Sequence, residues 1–279
     1  MKIGVNLLLW TSRLGPEHVP VLRMLKALGY DGVEVPVFAG AVSDYAEIGR
    51  MVAGEGLACA VCATLSPSAD PLSDVAAERQ AGAAHLRWLV DCSAALGAEV
   101  IAGPFHQPLG QFSGRGITEL EWARMVESQR AMADYAGEVR LAIEPLNRFE
   151  CYALNLASDA ARLVEEVARP NYGYLHDTFH ANIEERNPVA ALQATLPAVA
   201  HFHVSENDRG TPGHGHAAIR PALRALKAAG YDHWISVEAF GQALPDIAAA
   251  TRVWRPLFTS ETELVTEALS LIHQVWSES

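Results

Sequence analysis

Cysteine is scarce, with four residues in a chain of 279. Four thiols give a chain of this length no disulfide framework, so a reducing cytosol is the expected compartment. Cys59 and Cys62 form a C-x-x-C, but no second pair has that spacing, and both lie in Leu57–Ala63, which reads as a buried strand. Residues three apart on a strand point to opposite faces, so buried small residues are a better account than a joint metal or redox site. Long apolar runs are also missing: nothing in the sequence approaches the roughly 18 residues needed to span a membrane. The segment Met1–Trp10 has one Lys, an apolar run broken at Asn6 and no small-residue cleavage site, so it reads as a first strand and not a signal peptide. Basic residues are outnumbered, 21 Lys and Arg against 33 Asp and Glu, which leaves a net charge of −12. Nucleic acid and anionic membranes both call for a basic surface, so neither is an expected partner. The charge says nothing against a neutral small molecule. No low-complexity linker divides the chain, and a single domain over residues 1–279 is expected.

What is present is an alternation of short apolar runs with amphipathic helices. Strands are expected at Lys2–Leu8, Gly32–Val35, Ala58–Ala63 and Glu99–Ala102. Helices are expected at Pro20–Leu28, at Asp44–Gly54, before the stop at Gly97, and after the capping box Thr118-x-x-Glu121. Four further strands occupy Arg140–Phe240, with helices near Ser158–Ala168, Pro188–Leu196 and Arg220–Ala229. A helix near Pro245–Trp254 and one capped by Ser260 close the chain. Leu28-Gly29-Tyr30-Asp31 and Ala229-Gly230-Tyr231-Asp232 repeat one junction, helix, glycine stop, then a strand reaching Glu34 or Glu238. This pattern predicts an α/β fold, a single (β/α)₈ TIM barrel, for which the length is ordinary.

The chemistry is concentrated at the ends of the last four strands. These read Leu141-Ala142-Ile143-Glu144, Tyr172 to Asp177, Val199 to His203 and Trp234 to Glu238. Glu144, Asp177, His203 and Glu238 are separated by 33, 26 and 35 residues. One βα unit of such a barrel takes on the order of 30 residues, so each interval is one unit and all four side chains belong at the C-terminal mouth. Ion pairs sealing the mouth are the structural alternative, but few Lys or Arg lie nearby to pair them. Two Glu, one Asp and one His form a hard, oxygen-rich set for one divalent ion, with Mn²⁺ first and Mg²⁺ or Co²⁺ as alternatives. Glu150, His180 and Arg209 follow these positions by six, three and six residues, on loops facing the same pocket. Such a trio can hold the hydroxyls and carbonyl of a small polar ligand, or each can be a loop salt bridge or surface charge.

The runs Glu144-Pro-Leu-Asn-Arg-Phe-Glu150, Asp177-Thr-Phe-His180 and His201-Phe-His203 resemble the ketose 3-epimerases of the xylose-isomerase-like barrel superfamily. The resemblance implies that Glu144, Asp177, His203 and Glu238 hold the metal, and that Glu150, His180 and Arg209 contact a free sugar. It further implies C3 epimerisation through an enediolate, with Glu144 and Glu238 as acid and base on the two faces of the sugar. An aldose–ketose or hydroxypyruvate-type isomerase would use the same site, and a non-catalytic sugar-binding barrel would keep the fold alone. The endonuclease IV branch is disfavoured by the acidic charge and the single four-residue set. The Gly-rich loop Gly103–Gly116 is a candidate pocket rim. Asn6, Trp10, Glu34, Cys62, Phe105 and His106 are candidate wall residues. His176 and His201 are expected to be buried filler, and His214 and His216 solvated loop residues. A homo-oligomer is compatible with the sequence, which carries no distinctive interface.

Overall fold

A computed structural model describes residues 1–278 of the protein, with eight parallel strands and ten α-helices among them. The strands are β1 Lys2–Asn6, β2 Gly32–Val37, β3 Ala58–Ala63, β4 Val100–Gly103, β5 Arg140–Ile143, β6 Tyr172–Asp177, β7 Val199–Val204 and β8 Trp234–Val237. They pair in sequence order, and β1 pairs with β8 to close the barrel. The helices are α1 Val19–Leu28, α2 Val42–Gly54, α3 Ala76–Leu96, α4 Glu119–Ala136, α5 Ala157–Val167, α6 Thr178–Glu184, α7 Pro188–Thr195, α8 Ile219–Ala228, α9 Pro245–Thr251 and α10 Glu261–Ser277. Their apolar stripes pack on the outward faces of the strands in one continuous core. No described helix is long and apolar enough to cross a membrane.

The barrel is filled in layers. Trp234 lies across its lower end with Ala60, Val100, Ala102, Ala142, Leu175 and Ala200. Glycine is required opposite the indole, because a Cβ at Gly4 or Gly32 would lie 2.8 or 2.4 Å from its ring. Above this layer the filling turns polar, beginning with Glu34 and His201, both fully buried.

Several element boundaries differ from the sequence expectation for local reasons. β1 ends at Asn6 because the Asn6 side chain accepts a hydrogen bond from Leu8 N at 3.0 Å and opens a 3₁₀ turn over Leu7–Leu9. β2 runs on to Val37, so Glu34 is a mid-strand residue aimed into the barrel, whereas Glu238 lies beyond the end of β8. The repeated junction therefore holds for helix, glycine and strand, but its two glutamates are not equivalent. α9 stops at Thr251, where Arg252 takes a left-handed φ of 63°. His180, expected on a loop, lies in α6, a seven-residue helix whose N-cap is Asp177 itself.

Candidate functional site at the barrel mouth

The backbone fixes the four strand-end side chains before any of them touches another. Glu144 N donates to Gly103 O at 3.0 Å and Glu238 N donates to Val204 O at 3.1 Å, so both residues extend the ladder by one position. Asp177 and His203 are register partners on β6 and β7. All four are at least 95% buried. Asp177 divides its carboxylate: Oδ1 accepts from Phe179 N at 2.6 Å to cap α6, and Oδ2 turns to the site.

His203 occupies the centre. Its Nε2 lies 3.1 Å from each oxygen of Glu34. Its Nδ1 is buried without a hydrogen-bond partner, 3.6 Å from Asp177 Oδ2 and 3.5 Å from Glu238 Oε1. Those separations are too long for hydrogen bonds, yet the atoms converge. Glu144, Asp177 and His203 offer donor atoms all within 4.8 Å of one another. A buried imidazole nitrogen without a partner, facing convergent carboxylate oxygens, is the arrangement that holds a divalent metal.

The electrostatics agree. Burial opposes protonation of His203, but Glu34, Glu238 and Asp177 outweigh it and raise its pKa well above the usual histidine value. Burial first, and then the neighbouring Glu238 and Asp177, push Glu144 well above the ordinary carboxylate range. Burial acts in the same direction on Asp177, but Arg209, His203 and His180 overcome it and hold the carboxyl below its usual value. Three buried carboxylates thus face one guanidinium, a concentration of negative potential suited to a divalent cation.

Arg209 is the pocket's fixed cation. Its Nη1 donates to Asp177 Oδ2 and Ser205 Oγ, both at 3.0 Å, and to Glu238 Oε2 at 2.5 Å. The guanidinium lies 3.7 Å from the Phe179 ring centroid. Arg209 has a φ of 68°, and its loop is held in that shape by buried Glu206, which accepts from Asn207 N, Gly213 N and Ala217 N at 3.0, 2.8 and 2.8 Å. His180 is fixed by Asn147, whose backbone N–H donates to Nδ1 at 3.0 Å. His180 Nε2 lies 3.0 Å from Arg209 Nη2 and 3.6 Å from Glu144 Oε1. Asn147 Nδ2 also donates to Glu150 Oε1 at 2.8 Å.

Glu144, Glu150, His180, Arg209 and Glu238 are the ionisable lining residues of a cavity of about 240 Å³. Leu8, Phe38, Cys62, Leu109, Phe240 and Ile247 are among its apolar lining residues. All seven sequence-derived candidates are brought together: five on the cavity wall, with Asp177 and His203 beside them. Among the wall candidates, Cys62 lines the cavity, and Asn6 reaches the site by donating to Glu238 Oε1 at 3.1 Å. Trp10, Phe105 and His106 are not on the wall. His106 is fully buried with neither ring nitrogen hydrogen-bonded among the described residues. His176 is filler, stacked on Phe202 at 5.7 Å with its Nδ1 3.2 Å from Tyr174 Oη. His201 is more than filler, since its Nε2 bonds Glu34 Oε1. His214 pairs with Glu267 at 2.6 Å, away from the cavity. The sequence reading missed the roles of Glu34, Asn147, Ser205 and Glu206. The available signal was a charged residue within an otherwise apolar strand, Val33-Glu34-Val35.

Residues 22–257 match the family described as xylose isomerase-like TIM barrel. A ketose 3-epimerase of Arthrobacter globiformis is 30% identical over 277 residues, covering 98% of this chain and 96% of that protein. A D-psicose 3-epimerase of Agrobacterium fabrum is 29% identical over 266 residues, covering 92% of this chain and 91% of that protein. The crystal structure of D-psicose 3-epimerase with D-tagatose from Clostridium cellulolyticum H10 superposes with a TM-score of 0.89 at 25% identity, covering 99% of each chain.

Proposed function

Because the chain belongs to the xylose isomerase-like TIM-barrel family, with ketose 3-epimerases as near full-length relatives, we propose that it epimerises free ketoses at C3. The observation that carries this reading is the convergence of two buried glutamates, Glu144 and Glu238, on one small cavity beside the unpartnered His203 Nδ1. Epimerisation requires removal of a proton from one face of C3 and its return to the other. A single fixed base returns the proton only to the side it came from, so two groups are needed. Glu144 and Glu238 extend β5 and β8, three strands apart around the barrel, and thus reach the cavity from different sides.

Glu144, Asp177, His203 and Glu238 would hold the ion, Mn²⁺ in the first instance, with Mg²⁺ or Co²⁺ as alternatives. When bound, a divalent ion there supplies Lewis-acid stabilisation for negative charge developing on the C2 and C3 oxygens. The chain's own groups do the rest. One glutamate takes the C3 proton while the other delivers a proton to the opposite face. Burial and the neighbouring Glu238 raise the pKa of Glu144 and so favour its proton-carrying form. Arg209, His180 and Glu150 would hold the sugar by its carbonyl and hydroxyl oxygens, with the guanidinium donating, the Glu150 carboxylate accepting and His180 Nε2 beside Arg209 Nη2. A cavity of about 240 Å³ suits a monosaccharide.

Replacing either glutamate by its amide tests the proposal. Glu144→Gln and Glu238→Gln should each lower C3 epimerisation by about 10²- to 10⁴-fold while the far-ultraviolet circular dichroism stays native. Near-native turnover in either variant would contradict the two-carboxylate scheme.

A further inference from the structure

Glu34 poses a problem that the site as described does not solve. Its side chain is completely buried, yet no Lys or Arg pairs with it among the described residues. Among the described residues its only hydrogen-bond partners are two histidine side chains, His201 and His203, both through Nε2 and both from β7. Burying a carboxylate costs several kcal/mol, and apolar filling of the same volume is often more stable. A layer of one glutamate and two imidazoles is therefore an expensive way to fill a barrel, and its geometry indicates what it does.

We propose that Glu34 is a positioning residue that fixes the tautomer and ring orientation of His203. This assignment rests on the metal site proposed above. A neutral imidazole carries its proton on one of two nitrogens, and only the other offers a lone pair. With Glu34 oxygens 3.1 Å from Nε2, that nitrogen must donate, and the lone pair is left on Nδ1. Nδ1 is the atom that faces Asp177 and Glu238 without a partner. His201 completes the device from one layer below: its Nε2–H holds Glu34 Oε1, so the carboxylate cannot rotate away from His203. Carboxylates that receive the distal N–H of a metal-ligating histidine raise its basicity and fix its orientation, and their loss typically lowers metal affinity 10- to 100-fold.

Titration calorimetry of the metal-stripped full chain with MnCl₂ separates the outcomes. Wild type is expected to bind one ion, and Glu34→Gln to bind one ion about 10- to 100-fold more weakly while still unfolding cooperatively. An amide retains the shape but turns one of the two oxygens that face His203 Nε2 into an N–H donor, so it holds that N–H less firmly than the carboxylate does. Unchanged Mn²⁺ affinity in folded Glu34→Gln would overturn the positioning role while leaving the metal site intact. Two ions in wild type with one lost in the variant would make Glu34 a ligand, which also overturns it. Failure of wild type to bind Mn²⁺ would sink the metal site itself. If Glu34→Gln does not fold, ¹⁵N-histidine NMR of wild type saturated with Zn²⁺, a diamagnetic probe, decides. A protonated Nε2 and unprotonated Nδ1 on His203 supports the assignment, and the reverse tautomer refutes it.

Discussion

Arg209 Nη1 lies 2.5 Å from Glu238 Oε2, so the cation of the pocket is bonded to one of its two proposed acid–base groups. The same nitrogen also reaches Asp177 Oδ2 at 3.0 Å. Arg209→Lys keeps the charge but not the planar fork that serves several acceptors and stacks on Phe179. Steady-state kinetics with a ketose should show KM raised and kcat lowered, together on the order of 10-fold or more in kcat/KM, from the loss of about one charge-assisted hydrogen bond. An unchanged kcat/KM would remove Arg209 from the substrate site.

Glu206 controls Arg209 at a distance. Its carboxylate accepts three backbone N–H groups of the loop that gives Arg209 its left-handed φ. Glu206→Gln turns one acceptor oxygen into a donor and leaves a buried N–H facing another N–H. The expected cost is about 1–3 kcal/mol of stability, with KM raised more than kcat is lowered. Thermal denaturation and steady-state kinetics check this together, and a variant with native Tm and native KM would show that the loop keeps its shape without the carboxylate.

Buried histidines make stability fall in acid. Burial lowers His106 to about 3 and His176 to about 4, from an ordinary value of 6.5. Because the folded-state values are depressed, the unfolded chain binds the extra protons first as pH falls. Their stabilising contribution is complete above pH 6.5 and is lost progressively down to about 4 for His176 and about 3 for His106. At about 1.4 kcal/mol per pKa unit, the full loss is at most about 3 to 4 kcal/mol for His176 and about 5 kcal/mol for His106. Tm measured from pH 7.5 down to 4.5 should decline steadily below about 6.5. A flat Tm over that range would mean that neither ring remains neutral and buried.

Metal removal should separate structure from activity. The barrel closes through backbone pairing of its strands and not through the side chains of the candidate metal residues. Exhaustive chelation should therefore abolish epimerisation and leave the circular dichroism native, with Mn²⁺ restoring turnover. Full activity in rigorously metal-free protein would refute the metal's role.

Much of this was legible in the sequence because parallel barrels repeat at a fixed interval. Spacing alone put Glu144, Asp177, His203 and Glu238 at successive strand ends, and the structure brings them to one point. The supporting contacts were not legible. Glu34 meets His203 across 169 residues, and which strand interiors face each other is fixed only when the barrel closes. α6 is too short to show a helical period, and its start depends on an Asp177 cap that the sequence reading had assigned wholly to the metal. The shape of the Arg209 loop comes from Glu206 binding backbone groups up to 11 residues away, a pattern without a residue-type signature.

Incubation with free ketoses in D₂O, followed by NMR, tests the central claim most directly. Two glutamates exchanging protons at C3 predict deuterium at C3 of both epimers and none at C1. Deuterium at C1 or C2 would make the protein an aldose–ketose isomerase, and epimer formation without any solvent deuterium would contradict proton exchange through Glu144 and Glu238.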